Sequence, residues 1–588
     1  MRIDVIESIA DLDAARADWD RVYVSDPQAQ YFLSWTWLQA YVRNRKRWFI
    51  LALREKQPGS PYVAFFPLRL RTVQDQKTGI FTDDIFMAGN HAADYTGLIS
   101  EPGYEAHAIR GFALFLKSQN WTNLHLDNFS GSIERRNALL AELGGPDVSF
   151  RKVSRLDEAG IDQTICPVAK LPTSWDAYLE RNLSSPTRQK LRRFLRQVEN
   201  DDSYRITVAT ADTIDRDVDI LFRLWRAKWG SLKGDRTEKI IATSRAILLD
   251  AFRSGNLMVP ILWHGERPLG ALANFLDHQK KSILFYIAGR DEDWKTPSPG
   301  LVLHGYSIRR AIEEGFISYD FLRGNEPYKY AFGVEEQTLH CITVRTRSGR
   351  NLREGLNVRS IGHVYEEGSR LYASGDRTNA EAAFEQVLAA YPDHIGAELS
   401  LAQLLFDKGK LAEAEAAYST LLAKASDPIP VLVRLGDTQM AQKKFAEAAA
   451  TFSRIVDQRP NNIRSHFKKG TALAASGRTT DAIKAFKVLE QLHSDDPLLT
   501  TYRQKAREAL AKLLKPLSPD LNLPAIHPKG FPLKPVARAS GPIARQMKQS
   551  SDTILGSLKD WEALQAPPTE LPFPRSVGLK SFLQRTKH

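Results

Sequence analysis

Up to Arg350, short apolar runs alternate with longer amphipathic ones. Trp48–Arg54, Tyr62–Arg71, Thr96–Ser100 and Asn123–Phe129 are brief, rich in β-branched or aromatic residues and bounded by turn formers, which predicts strands. Glu105–Ser118 repeats its apolar residues at helical spacing and predicts a helix. Ser34–Val42 (SWTWLQAYV) predicts an aromatic-rich helix whose tryptophans belong to a core.

A second block begins near Pro172. Trp175–Arg181, Thr187–Glu199, Ile214–Trp229 and Thr237–Ser254 predict helices, and Tyr204–Ala209 a strand. Leu257–His264, Pro268–Asp277 and Ser282–Gly289 predict three consecutive antiparallel strands that turn at HGERP and DHQKK. A helix (Leu301–Gly315), a strand (Ser318–Leu322), a short helix around Tyr328–Phe332 and a strand (Leu339–Thr346) complete it. Helices set around mixed sheets make this an α+β arrangement. The first block shows a weaker meander, helix and strand, so two similar halves are expected, 1–170 and 171–350.

Beyond residue 360 the pattern becomes periodic. Ala380, Ala414, Ala448 and Ala482 recur at a spacing of 34 residues, and Phe384, Tyr418, Phe452 and Phe486 follow each of them by four. Gly375, Gly409 and Gly477 mark turns, with Lys443 in the remaining slot. Gly368, Gly436 and Gly470 share an earlier phase with Ala402, and Pro392 and Pro460 close two of the units. A small residue where two helices touch, an aromatic one turn later and a turn glycine define a helix–turn–helix repeat of tetratricopeptide (TPR) type. The expectation is an all-α solenoid of four repeats over 361–496, with a capping helix over 497–515. Such arrays hold partners and leave chemistry to other domains. Residues 516–588 are proline-rich and expected to be largely disordered. Ile543, Met547, Ile554, Leu558 and Trp561 fall near one helical face there, which fits either a docking segment or a transient amphipathic turn.

Composition adds limits. The chain has 588 residues and a formal net charge of +12, compatible with an anionic partner or with a merely basic soluble protein. Cys166 and Cys341 are too few and too far apart for a disulfide framework, which suits a reducing, cytoplasmic setting. The first twenty residues are too acidic for a signal peptide, and no apolar run reaches the roughly 18 residues that cross a bilayer. Metal-ligand spacings of the Cys-x-x-Cys or His-x-x-x-His kind are missing, so no metal is expected.

Chemistry concentrates between Ser282 and Gly333. A strand runs into a polar loop that ends in Ser298-Pro299-Gly300, a helix start with serine at the cap and proline at the first helical position. Amides in such a first turn have no intrahelical partner, and with the positive end of the helix dipole they suit a pyrophosphate unless the cap occupies them. The helix Leu183–Glu199 carries Arg188, Lys190, Arg192, Arg193 and Arg196, with Arg181 just before it. These read either as a solvated face or as a cationic wall for an anionic acceptor. No RNA-binding fingerprint accompanies them, and nucleic acid is not the favoured partner.

This run resembles the GNAT acyltransferase superfamily, and more closely its CelD-like (cellulose-biosynthesis-type) and FemAB-like branch of two GNAT-like halves. Three features carry the resemblance: Arg323-Gly324-Asn325-Glu326-Pro327-Tyr328-Lys329 after a strand, the basic helix, and Ala93-Asp94-Tyr95 before a strand in the first half. It covers about Val5 to Arg350. Lys295–Gly300 stands where simple GNAT enzymes carry a Gln/Arg-x-x-Gly-x-Gly/Ala loop, so the acyl donor stays open.

The resemblance implies acyl-CoA, in the first instance acetyl-CoA, held by Arg290, Ser298, Gly300, Leu301 and Arg323. It implies catalysis by a base among Asp94, His304 and Asp320 and an acid among Tyr328 and Tyr330, with Lys329 a fixed cation. An amino sugar or polysaccharide precursor in exopolysaccharide synthesis is the implied acceptor. That acceptor would lie at the cytoplasmic face of the membrane, and the TPR repeats would dock the enzyme to a protein partner, a synthase or regulator. Two alternatives stand beside this: a FemAB-like transferase using charged tRNA, and a non-catalytic GNAT-fold assembly module.

Overall fold

The computed structural model describes residues 1–514, apart from 44, 58, 90, 91, 494 and 495. The proline-rich stretch from 516, and with it Ile543–Trp561, lies outside the described residues. The chain divides into two compact units, Met1–Gly362 and the part from His363 onward. Among the described residues, no helix is long and apolar enough to cross a membrane.

In the first unit the early strands are β1 (Arg2–Ile6), β2 (Trp48–Arg54), β3 (Tyr62–Gln74), β4 (Phe81–Met87), β5 (Ile99–Ser100), β6 (Asn123–Phe129), β7 (Val148–Lys152) and β8 (Ile165–Lys170). The later ones are β9 (Tyr204–Val208), β10 (Leu257–Met258), β11 (Pro260–His264), β12 (Arg267–Asp277), β13 (Ser282–Arg290), β14 (Ser318–Asp320), β15 (Glu335–Thr338) and β16 (His340–Thr346). They form two mixed sheets. The first runs β1-β2-β3-β4-β6-β16-β7, with β5 on β3. The second runs β15-β8-β14-β13-β12-β11-β9, with β10 on β12.

The two halves interlock. β8 lies before residue 171 yet pairs with β14 and β15 in the second sheet. β16 ends the second block yet inserts between β6 and β7 of the first. The boundary expected at 170/171 is therefore not a boundary between sheets. Long-range pairing of this kind leaves no local mark in a sequence.

Each sheet buries both faces. Side chains such as Ile50, Phe65, Tyr95, Phe275 and Leu284 join one core between the sheets. The helix Glu105–Ser118 covers the far face of the first sheet. Helices Trp175–Arg181, Ser185–Asn200 and Pro299–Glu313 cover the far face of the second. Helix Ile214–Lys233 presses against β13: a Cβ on Gly289 would stand 2.5 Å from Leu221 O, so no side chain fits there. Across the seam Tyr31 stacks on Phe275 at 5.0 Å, and Lys280 Nζ donates to Val24 O (3.0 Å) and Asp26 O (2.7 Å).

Strands β1, β4, β7 and β15 and the helices Ile9–Ala14, Arg16–Ser25 and Ile133–Leu143 had no counterpart in the sequence expectations. In β4 the adjacent Asp83 and Asp84 interrupt the alternation that marks a strand. Asp83 is nonetheless buried, because Thr72 Oγ1 and the Asn357 amide donate to it at 2.8 Å each, and Ser360 joins them.

The second unit is helical throughout its described residues. Ile361–Ala373 with Arg377–Ala390, Ile395–Asp407 with Leu411–Lys424, Ile429–Ala441 with Phe445–Gln458, and Ile463–Ala475 with Thr479–Gln491 are successive hairpins, followed by Leu498–Leu514. The glycine phase has a steric cause. A Cβ on Gly436 or Gly470 would lie 2.7 or 2.6 Å from the ring of Phe452 or Phe486.

Candidate active site

The candidate site grows from an irregularity in β13. Ala273 of β12 faces Ile287, while its neighbour Asn274 faces Phe285, so Tyr286 is an extra residue in the strand. The bulge turns Tyr286 and Ile287 toward the core between the sheets, while Phe285 and Ala288 face the other core. On its other side β13 pairs in parallel with β14 for three residues only, ending at Leu284 opposite Asp320. Beyond Asp320 the chain parts from β13 while the Phe321 and Gly324 amides still reach β8, and the edge of β13 toward Arg290 runs on without β14.

Asp320 sits where the two strands part. Its Oδ1 accepts the Leu322 amide at 2.7 Å, which turns the chain and holds Leu322 at φ +55°, a left-handed conformation that non-glycine residues rarely adopt. The expected strand Ser318–Leu322 therefore stops at Asp320. Its Oδ2 accepts the Tyr95 hydroxyl at 2.7 Å. Only 3% of Asp320 is exposed, and burial raises its pKa to about 6 against the pull of these two donors.

Asp94, next to Tyr95, accepts Arg323 Nε at 2.8 Å, and Arg323 also donates to Asn128 Oδ1 at 3.2 Å. Asn128, like Leu322, has φ +55°. The adjacent residues 94 and 95 thus grip Arg323 and Asp320. The Tyr286 hydroxyl comes within 3.4 Å of Ala92 O in the same neighbourhood. Cys166 lies buried beside Tyr95 and Asp320, and burial pushes its thiol well up, away from nucleophilic thiolate chemistry.

Helix Pro299–Glu313 follows β13 on the far face. Ser298 holds the cap position, but its hydroxyl caps no amide, so the cap does not occupy the first-turn amides. Val302 N reaches Ser298 O, and the Gly300 and Leu301 amides ahead of it have no intrahelical acceptor. The surroundings of Gly300 are open, with nothing within 4 Å of where a Cβ would stand.

His304, one turn on, lies within a cage of Phe285, Phe321, Phe332, Tyr319 and Tyr328, at ring-centroid distances of 4.6, 5.1, 5.2, 5.9 and 6.1 Å. This cage joins the start of the helix to the Asp320–Tyr330 stretch. Burial depresses the imidazole to a pKa of about 3. His304 Nδ1 stands 3.0 Å from Tyr319 Oη, which gives its own proton to Asn274 Oδ1 at 3.1 Å, so the imidazole donates from Nδ1. It is enclosed in the core and too weakly basic to hold an abstracted proton near neutral pH, and its expected role as a base is corrected on that ground.

Other expected residues are otherwise engaged. Lys329 is 2% exposed; its Nζ donates to Arg323 O (2.8 Å) and Gly324 O (2.9 Å) and pairs with Glu326 Oε2 at 2.9 Å. It ties down the loop after β14 and is no free cation for phosphate. Arg290 is bidentate to Glu292, at 2.9 and 3.0 Å. Tyr330 binds Glu336, and burial together with that partner pushes its pKa up to about 12. Tyr328 keeps 47% of its surface exposed beside His304, with its hydroxyl pKa raised first by burial and then by Glu326. Among the described residues no cluster of His, Cys, Asp and Glu suits a metal.

The basic helix buries Leu191, Phe194, Leu195 and Val198. Leu191 packs on Gly305, and Glu199 pairs with Arg309 at 2.6 Å, so this helix runs alongside Pro299–Glu313 in the same direction. Of its cations, Arg192 approaches Asp176 at 3.6 Å, while Lys190 and Arg193 lie over Phe194. Tyr95, Tyr286 and Asn128 carried no assigned role in the sequence reading. Tyr95 and Asp320 are 225 positions apart, and only the fold joins them.

Known families match parts of this chain. Residues 185–330 match the family described as Acetyltransferase (GNAT) domain. Residues 371–435 and 433–497 match two families, each described as Tetratricopeptide repeat. No curated protein matches. Among solved structures, a Bacteroides thetaiotaomicron protein of unknown function is similar over 59% of this chain and 100% of its own, at 12% identity and a TM-score of 0.37. FemX is similar over 59% of this chain and 97% of its own, at 10% identity and a TM-score of 0.40. MamA (MSR-1) is similar over 26% of this chain and 87% of its own, at 22% identity and a TM-score of 0.22. The chain thus contains a GNAT-type acetyltransferase domain followed by tetratricopeptide repeats, and that domain supports acyl transfer.

Proposed function

We propose that the first unit transfers an acyl group from acyl-CoA to an amino or hydroxyl group of a sugar or polysaccharide precursor, while the repeats dock it to a protein partner. The observation that carries this reading is the parting of β13 from β14 at Asp320, next to a bulge and ahead of an uncapped helix start. The Gly300 and Leu301 amides take the pyrophosphate of the donor at the positive end of the helix dipole. The thioester then lies along the open edge of β13. A backbone amide of that edge donates to the oxyanion as the carbonyl becomes tetrahedral.

Asp320 is the base. Of the three candidates, His304 is enclosed by rings with a pKa of about 3, too weakly basic for the task, and Asp94 is occupied by Arg323. A carboxyl with a pKa of about 6 is mostly ionised at neutral pH yet more basic than an ordinary carboxylate, which suits it to take the proton that an attacking amine or hydroxyl loses. It does so once the acceptor fills the gap between the strands. Tyr328, kept protonated by its raised pKa and half exposed, gives a proton to the departing thiolate and recovers one from solvent. Arg181, Arg188 and Arg196, on or beside the helix that runs with Pro299–Glu313, favour an anionic acceptor such as a diphosphate-linked sugar.

The test is transfer of label from radioactive acetyl-CoA to a panel of amino sugars and hydroxylated sugars, with the wild type and Asp320→Asn. Label on an amino sugar that is lost in Asp320→Asn supports the reading. Label on no acceptor, with partner capture intact, would leave an assembly module instead.

A further inference from the structure

Asp320 and its nearest polar partners come from different parts of the first unit. Asp320 ends β14 in the second sheet, while Asp94 and Tyr95 lie in the segment leading into β5 of the first. The seam is closed here by charge and hydrogen bonding as well as by apolar contact. The titratable and charged groups facing the carboxyl are Tyr95 and Asp94 from that segment, Cys166 from β8, and Lys329 from the loop after β14, with Arg323 held by Asp94 and the Leu322 amide on Oδ1.

We infer that Tyr95 is a positioning residue for Asp320, and that the first half, through Tyr95 and Asp94, controls the ionisation of the carboxyl in the second. Tyr95 Oη donates to Asp320 Oδ2 at 2.7 Å. A donor of that kind favours the charged carboxylate and holds its oxygen in one orientation. Asp94 acts in the opposite sense, because a neighbouring negative charge opposes ionisation. Both residues are buried or half-buried, so solvent does not erase either effect. The two halves are therefore coupled at this carboxyl, which takes one donor and one opposing charge from the first half. The inference rests on reading Asp320 as the base of the proposed transfer.

Infrared difference spectroscopy of the full chain measures this directly. The protonated-carboxyl band absent from Asp320→Asn is followed through pH in the wild type, Tyr95→Phe and Asp94→Asn. The expected result is an upward shift of the midpoint by about one pH unit in Tyr95→Phe, the size of one lost charge-assisted hydrogen bond. Asp94→Asn shifts it downward. Opposite shifts at unchanged circular dichroism are not what a merely structural role would give, and the Asp94→Asn arm stands if Tyr95→Phe folds poorly. Equal midpoints in all three proteins overturn the inference. If the midpoints move as expected but the pH profile of transfer does not follow them, the reading of Asp320 as the base fails while the coupling stands.

Discussion

Arg323 Nε meets Asp94 Oδ1 at 2.8 Å, and this ion pair joins the loop after β14 to the segment before β5. The pair is partly buried, and Asp94 holds the guanidinium in its charged form. Arg323→Ala leaves Asp94 unpaired and removes a donor from the strained Asn128. The expected cost is about 1–3 kcal/mol, discounted for partial exposure. Arg323→Lys restores less than half of it, because an ammonium cannot reproduce the fork that reaches both partners. Calorimetric unfolding of the three proteins checks both statements.

His304 makes the fold sensitive to acid. Its folded pKa of about 3 lies below the ordinary value of 6.5, so below pH 6.5 the unfolded chain binds a proton that the folded chain refuses. Stability from this group is complete above that pH. It falls by on the order of 1.4 kcal/mol per pH unit as pH drops toward 3. Asp320 acts oppositely: with a folded pKa raised to about 6, its contribution declines as pH rises from the ordinary carboxylate range to 6. The melting temperature of His304→Phe should therefore fall less than that of the wild type between pH 7 and pH 4.5. Equal falls would mean that the imidazole is not enclosed as described.

Lys329 supports the loop and does not bind the donor. Its ammonium is shared among Arg323 O, Gly324 O and Glu326. Lys329→Met strands those acceptors and should destabilise the first unit by about 2–4 kcal/mol. Acetyl-CoA affinity, measured below the melting transition, should stay within about threefold of the wild type. A stable variant that no longer binds donor would restore the lysine as a phosphate ligand.

In the repeats, Gly436 and Gly470 leave room for Phe452 and Phe486. Adding a methyl at either drives it into the ring, and Gly436→Ala or Gly470→Ala should cost about 1–3 kcal/mol. Thermal unfolding of the helical signal measures this.

The repeats were legible because every unit restates the same contact, so Ala380, Phe384 and their counterparts mark the helix pairs independently. The meander β11–β12–β13 was legible from alternation and turns. What escaped were relations between distant residues. Nothing near Ile165 says that β8 joins the second sheet, and nothing near His340 says that β16 returns to the first. The Asp320–Tyr330 run was picked out by its polar residues. Their roles depended on burial: the same Lys329 that looks like a phosphate ligand in a string is enclosed by carbonyls, and His304 is ringed by aromatics.

Calorimetric titration of the full chain with acetyl-CoA, wild type against Gly300→Glu, tests the account most directly. A carboxylate at the second helical position has open space around it and favours the helix dipole, so the variant should melt at or slightly above the wild-type temperature. The account predicts saturable binding by the wild type and a loss of at least about tenfold in affinity, some 1.4 kcal/mol, in the variant. Equal affinities in the two proteins, or a wild type that binds no acyl-CoA at all, would contradict it.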